Sequence, residues 1–545
     1  MRTENRVFAR LRRLLFVTPA IMLSLLLHVA YAAPSAAETP VAPEAPSAPA
    51  RPGTLRLSFV GDILLAGTVG ELIDAEGPLA PWQGVKDILS AADLTCGNLE
   101  CAVGTTGSPI PSKEFSFRAD PKALQGLVDS GFDVVSLANN HSLDYGVGCL
   151  LEGLQAIEAA GIRAIGAGAN EDAARKPYIF EKNGISVGIL ATTSHYPYGS
   201  WSATEDRPGM ATDAYDWHPE IVSSIEELSQ TVDVVIVIIH WGQERSTVPI
   251  GDVNAIHKAM KDAGAHAIIG SHPHVLEGIY YDGRTVTAYS LGNFVFSTRP
   301  EIPACQVGAV LNLTVSKGKV DAAEVIPTKI VWGRTVPMEG KEKEAALATL
   351  SSLSRPLGTD LDQYGNVVPL LFTDMNDHWA RFTVGRLASR GSIEGYPDLT
   401  FRPEVRITKG EFAAMFSRAV ASPADIAAAV EPQGFALCSK DAWSYTYLKY
   451  LASRGILSAS DPNWAADRAC SRLDACLAMW KHAGAPSSEN AVAEAIGLDA
   501  KSAAAISWAV DMGILRGYPD GSLRLAETIS RAEMAEILSR YLGTT

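Results

Sequence analysis

Five short polar motifs each follow an apolar run: Gly61-Asp62 after SFV, Gly97-Asn98-Leu99-Glu100 after DLTC, Asn139-Asn140-His141 after VVSLA, His240-Trp241-Gly242 after VVIVII, and Ser271-His272-Pro273-His274 after AIIG. Short apolar runs of this kind read as buried strands, and open α/β sheets bind ligands beyond the carboxyl ends of their strands. The motifs therefore converge on one crevice. Asp, Glu, Asn and several His together suit Zn, Mn or Fe, whereas calcium takes oxygen alone. Two such ions bridged by one carboxylate activate a water and clamp a phosphoryl group. In Ser271-His272-Pro273-His274 two imidazoles enter the same small volume and repel if both are charged, which favours a metal or anion there. His195, His218, His257, His266, His378 and His482 lack that setting and read as structural.

Positioning these side chains requires a sheet. β-rich runs at 54–60, 133–138, 185–191, 233–239 and 266–270 alternate with helical patterns at 121–131, 148–161 and 254–264, the pattern of an α/β domain over residues 54–357. The whole chain is 545 residues, 47% hydrophobic and 20% charged, too long for one domain and too apolar for a disordered chain. Its net charge of −15 excludes phosphate neutralisation as a source of affinity, so nucleic acid is not an expected partner. Seven cysteines without a CxxC pair describe neither a disulfide framework nor a zinc ribbon.

The first 13 residues hold Arg2, Arg6, Arg10, Arg12 and Arg13, and an apolar run from Leu14 to Ala30 ends in Ala30-Tyr31-Ala32. Residues 1–32 read as a secretory signal peptide, interrupted by Pro19 and His28 and short for a bilayer span. Removing its five arginines and one glutamate takes the net charge from −15 to −19. The Ala/Pro-rich stretch 33–53 that follows reads as an extended linker.

Beyond residue 370 the sequence repeats. Leu387-Ala388-Ser389-Arg390-Gly391 recurs as Leu451-Ala452-Ser453-Arg454-Gly455, and Gly395-Tyr396-Pro397-Asp398 recurs as Gly517-Tyr518-Pro519-Asp520. Thr408-Lys409-Gly410-Glu411, Ser471-Arg472-Leu473-Asp474 and Ser530-Arg531-Ala532-Glu533 each read as a helix cap with an acid three residues on. Three all-α units are expected at 370–425, 436–486 and 492–545, the middle one lacking the Gly-Tyr-Pro-Asp turn.

FTDMNDHWA (372–380), GSIEGYPDLTFRP (391–403) and ITKGEFAAMFSRA (407–419) resemble S-layer homology modules. That resemblance implies a bundle of three SLH repeats holding secondary cell-wall polysaccharide, with Lys409, Arg472 and Arg531 beside the acidic glycan group. VGDILLAG, GNLE, ANNHSLDYG, HWGQE, GSHPHVLEG and YSLGNFVF, in that order, resemble the CapA-type poly-γ-glutamate capsule-synthesis family, a branch of the calcineurin-like metallophosphoesterases. It implies a four-layer α/β/β/α sandwich with one or two divalent transition-metal ions. By the resemblance Asp62 matches the first-motif aspartate, Glu100 the bridging carboxylate, Asn140, His240 and His272 the second-metal ligands, His274 a first-metal ligand, and His141 the proton donor. The first motif departs from the phosphoesterase Asp-x-His, reading Asp62-Ile63-Leu64, and Glu100 stands for the usual Asp. Asp144 is the candidate substitute for the lost ligand. The expected protein is secreted and wall-attached, and handles an anionic capsule polymer or meets its synthase. The alternative is a metal-dependent phosphoesterase or amide hydrolase acting on wall or capsule polymer. Arg118, just beyond Glu100 and the Lys113-Glu114 pair, is a candidate anion contact, with a surface salt bridge as the favoured reading.

Overall fold

The computed structural model describes residues 53–543 except 112, 214–218, 489–491 and 493–496. The expected signal peptide, nearly all of the linker, and His218 lie outside the described residues.

Two large mixed sheets organise the first part of the chain. In one, the strand Leu55–Ile63 runs parallel to Leu94–Leu99, which continues through Val134–Ser136 to Arg163–Ile165, and antiparallel to Val307–Ser316 on its other side. In the other, Ile185–Thr193, Val234–His240, Ala267–Ser271 and Val286–Ala288 are parallel neighbours. The reason these strands are apolar throughout is visible in Val234–His240. Val234, Ile236 and Ile238 join a core shared with Leu57, Phe59 and Leu311 of the first sheet. The alternate residues Val235, Val237 and Ile239 pack instead with Ile225, Ile256 and Met260 from the outer helices. A period of two thus feeds two cores from one strand. The first sheet does the same, with Val60 and Val135 packed beside Leu124, Leu150 and Ile157.

The first strand outruns its expected end at Val60 because its last residues gain a second parallel partner, Asn293–Val295. Gly61 permits this: a Cβ there would lie 1.9 Å from the carbonyl oxygen of Gly292. Asp62 is therefore fixed inside a strand, in register with Asn98 and Asn293.

In the helical part, Thr408, Ser471 and Ser530 each cap a helix with a complete capping box, closed by Glu411, Asp474 and Glu533. Backbone hydrogen bonds tie the three segments into a closed ring. Ile407 donates to Ile529, Ile529 to Cys470, and Cys470 to Ile407, each at 3.0 Å. The first helix of this part, Arg381–Ser389, is seated on the hairpin Thr359–Leu361/Val367–Pro369 that ends the α/β part. Asp360, buried, accepts from Arg355 at 3.0 Å and Arg381 at 2.9 Å, and Asp362 accepts from Arg386 at 3.0 Å. Gly385 allows the approach, since a Cβ would meet Val368 at 2.3 Å. Among the described residues no helix is long and apolar enough to cross a membrane.

Candidate metal centre

Strand ends deliver two interlocking sets of ligand atoms, Glu100 with His240 and His272, and Asp62 and Glu100 with His274, each set within 4.8 Å. Glu100 belongs to both. Its backbone N–H donates to the Ile63 carbonyl at 2.8 Å, which places the carboxylate beside Asp62. His240 ends its strand in register with Ser271, so its Nε2 lies 3.0 Å from Asn140 Oδ1 and 3.6 Å from Glu100 Oε1. His274 Nδ1 is 3.2 Å from Asp62 Oδ2, and its Nε2 is 3.8 Å from Glu100 Oε1. His272 and His274 adopt φ of 99° and 59°. For residues other than glycine such conformations cost on the order of 1–3 kcal/mol and persist where the surroundings fix them.

A second layer of amides orients the ligands. Asn98 Nδ2 donates to Asp62 Oδ1 at 2.9 Å, and its Oδ1 accepts from Asn139 Nδ2 at 3.1 Å. Asn293 Oδ1 stands 2.9 Å from His274 Nδ1, and Ser271 Oγ stands 3.1 Å from His240 Nδ1. Such partners fix ring orientation in metal sites.

The electrostatics of this cluster fit a cation. Both oxygens of Glu100 and the Nδ1 of His272 are buried with no hydrogen-bond partner among the described residues. Burial, then the Asp62 charge, pushes the Glu100 carboxyl well above its ordinary range. Burial and neighbouring imidazoles hold His240 and His272 well below theirs, in the neutral form that coordinates metal. Burial alone would also lower His274, but the Glu100 and Asp62 carboxylates overcome it and raise it to about 10. Buried polar atoms are normally paired, so the orphan acceptors on Glu100 and His272, beyond two strand ends, suit a cation.

Residues 56–298 match the family described as bacterial capsule synthesis protein PGA_cap. Over 280 residues the chain is 34% identical to PGA biosynthesis protein CapA of Bacillus subtilis (strain 168), an alignment covering 51% of this chain and 71% of that protein. This chain belongs to the PGA_cap family. Capsule biosynthesis protein CapA of Bacillus anthracis is 31% identical over 246 residues, 44% of this chain and 60% of the relative. Residues 371–413 and 497–535 match the S-layer homology domain. Among solved structures, a hypothetical protein from Thermus thermophilus aligns at 15% identity with a TM-score of 0.33, over 51% of this chain and 100% of the other.

Asp62, Glu100, Asn140, His240, His272 and His274, all expected from the PGA_cap resemblance, are brought together. Asp144 is not placed as a substitute ligand. It accepts from the Phe117 N–H at 2.7 Å, pairs with Lys113, and lies 2.7 Å from His141 Nδ1. Leu64, at the position of the lost ligand, is buried in the apolar core between sheet and helices. One site residue goes unread in the sequence and another is misread. Lys113 has a side chain only 12% exposed, and its ammonium touches Asn140 O and His141 Nδ1. His195 is no ordinary core residue, since its ring stacks at 3.9 Å on His272. It follows the apolar run Ile185–Thr193, so the strand-end rule that picked the other histidines also points to it. Arg118 donates to the Thr106 and Gly107 carbonyls and forms no ion pair among the described residues.

In the helical part, Lys409, Arg472 and Arg531 are all buried, and each reaches into the turn of another segment. Lys409 donates to Asn463 O and Asp474, Arg472 to Leu523 O and Arg516 O, and Arg531 to Phe401 O and Glu394 O. The turn lost from the second repeat therefore faces Lys409, not Arg472. There a polar groove of about 440 Å³ opens, lined by Lys409, Asp461, Trp464, Arg468, Asp474 and Lys481.

Proposed function

We propose that this protein is a secreted, wall-attached capsule-biosynthesis component in which a divalent transition-metal centre handles an anionic surface polymer. The observation that carries this reading is Glu100, a carboxylate with both oxygens buried and unpartnered between two ligand sets. Asp62 and His274 on one side, and Asn140, His240 and His272 on the other, would hold Zn, Mn or Fe around it. Such an ion supplies Lewis acidity and an activated water. The two packed sheets with outer helices suit a four-layer α/β/β/α domain over residues 54–357, followed by three SLH repeats at 370–425, 436–486 and 492–545. The capsule polymer or its synthase is the expected partner.

A second reading, hydrolysis of a phosphoester or amide in wall or capsule polymer, is favoured by the His141–Asp144 pair. Asp144 fixes the imidazole through Nδ1, and Phe117 lies against the ring at a centroid distance of 4.8 Å. Nε2 is thereby presented for proton transfer. With phosphodiester and γ-glutamyl substrates, His141→Ala should keep its metal while losing roughly 10² to 10⁴ in rate. His272→Ala should lose the metal as well. Equal metal loss in both variants would refute the division of roles, and inactivity of the metal-loaded wild type on the whole panel would leave the non-hydrolytic reading.

For wall attachment, the groove at Lys409 is the proposed glycan site, with exposed Arg468 and Lys481 as its outer cations. The double change Arg468→Ala, Lys481→Ala should leave the fold intact and weaken co-sedimentation with cell walls at least about tenfold, since each charged hydrogen bond is worth roughly 1.5–3 kcal/mol. Undiminished sedimentation would move the glycan elsewhere on the bundle.

A further inference from the structure

Lys113 and His195 border the ligand sets without belonging to either, Lys113 against Asn140 and His141, and His195 against His272. Lys113 sits on a strap, residues 104–111 and 113–117, that is stapled down at both ends. The Thr105 N–H and hydroxyl donate to Glu152 at 2.8 and 2.7 Å, and the Thr106 N–H donates to it at 3.0 Å. Arg118 holds the Thr106 and Gly107 carbonyls, and the Phe117 N–H is bonded to Asp144. Gly107 has φ 80°, and a Cβ there would meet Tyr145 O at 2.1 Å. The strap thus carries Lys113 to a set position, over the Trp201 ring at 5.4 Å and 2.9 Å from His141 Nδ1.

An ammonium has three hydrogens. Two go to Asn140 O and Asp144. The third is not required by His141, because its Nδ1, at 2.7 Å from Asp144 Oδ2, donates to that carboxylate. From the other sheet, His195 follows the strand Ile185–Thr193. Thr193 Oγ1 accepts from its N–H at 3.0 Å and donates to its carbonyl at 2.9 Å. The His195 ring lies on His272 with 27° between planes, half-buried at the edge of the cluster. Burial lowers the His195 pKa and the Lys113 charge adds to that shift, while Lys113 favours the ionised form of Glu100.

We propose that Lys113 and His195 form a clamp for an anionic oxygen group of the substrate, phosphoryl or carboxylate, held above the Glu100-centred ligand sets. This deepens the reading of the site as a metal centre and rests on it. The Lys113 ammonium supplies local positive charge that a chain of net charge −15 does not provide in bulk, and the His195 imidazole, which burial favours in its neutral form, supplies a hydrogen-bond donor.

The test is calorimetric titration of the Mn-loaded full chain with inorganic phosphate and, separately, glutarate. Wild type should bind at least one of them, and which one identifies the group. Lys113→Met and His195→Phe should each weaken that binding about tenfold or more at unchanged Mn content. His195→Phe keeps a ring on His272, so it separates the imidazole N–H from mere packing. Lys113→Arg should recover most of the affinity and guards against a folding defect in the methionine variant. Wild-type binding retained in His195→Phe and Lys113→Met overturns the clamp, as does failure of metal-loaded wild type to bind either anion. A wild type that takes up no Mn, Zn or Fe overturns the metal-centre reading itself, and the clamp with it.

Discussion

Glu100→Gln should abolish the metal-dependent stabilisation of the protein while making the metal-free form no less stable than wild type. In the metal-free chain the Glu100 carboxylate is buried beside Asp62 with neither oxygen bonded, and its ionised form is penalised first by burial and then by that neighbour. A neutral amide of the same size relieves the penalty but gives up the charge shared by both ligand sets. Affinity should fall by more than the roughly 10 to 100-fold that loss of a merely supporting partner costs. At a metal concentration 100 times Kd, wild type gains about 2.7 kcal/mol, a rise of several degrees in Tm, and Glu100→Gln gains none. Calorimetric melts with chelator and with Mn or Zn check both signs; an equal rise in the variant would show that Glu100 does not hold the ion.

The same site sets a pH dependence. In the metal-free chain the raised His274 pKa contributes stability that is complete below the ordinary 6.5 and is lost as pH rises toward about 10. Metal coordination needs the neutral imidazole, so uptake must release the His274 proton, and affinity should grow between about pH 6 and 9. This is the proton balance behind the Glu100 result, since His274 is held up by Glu100 first.

Arg531→Ala should destabilise the helical bundle by about 3–5 kcal/mol. Its guanidinium is buried, donates to Phe401 O at 2.7 Å and Glu394 O at 2.6 Å, and lies over the Phe401 and Tyr396 rings at 4.6 and 5.0 Å. Truncation leaves both carbonyls without their donor and removes the contact that closes the third segment onto the first. Arg531→Lys keeps the charge but not the planar fork, and should fall between. Denaturant unfolding of the full chain gives the number, and a loss below about 1 kcal/mol, the net worth of one ordinary hydrogen bond, would show that the ring is closed by the backbone alone. Wall-binding defects of Arg472 and Arg531 variants therefore have meaning only beside a measured stability.

Much of the scaffold was legible because its strands are buried on both faces and so are apolar throughout. Val234–His240 and Ala267–Ser271 stand out for that reason, and the polar residues at their ends announce the ligands. The end of the first strand was not legible, because its extension through Ile63 depends on a partner, Asn293–Val295, far away in the sequence. Lys113 was missed for a similar reason. A lysine next to a glutamate in a Ser/Pro-rich stretch has every local mark of a surface pair, and only the strap's attachment to Glu152 and Asp144 buries it. Asp144 read as a spare ligand because its proximity to His141 in sequence says nothing of direction. In the repeats the cap motifs were plain, while the direction of their cations was not. Each reaches across to another segment, so its partner is set by the ring rather than by its own repeat.

The measurement that bears most directly on the central claim is an anomalous difference map from crystals of the full chain grown with Mn or Zn. The predicted result is one or two peaks in contact with Glu100, flanked by Asp62 and His274 or by Asn140, His240 and His272. A map with no peak at Glu100, from crystals whose protein was saturated with the metal, would contradict it.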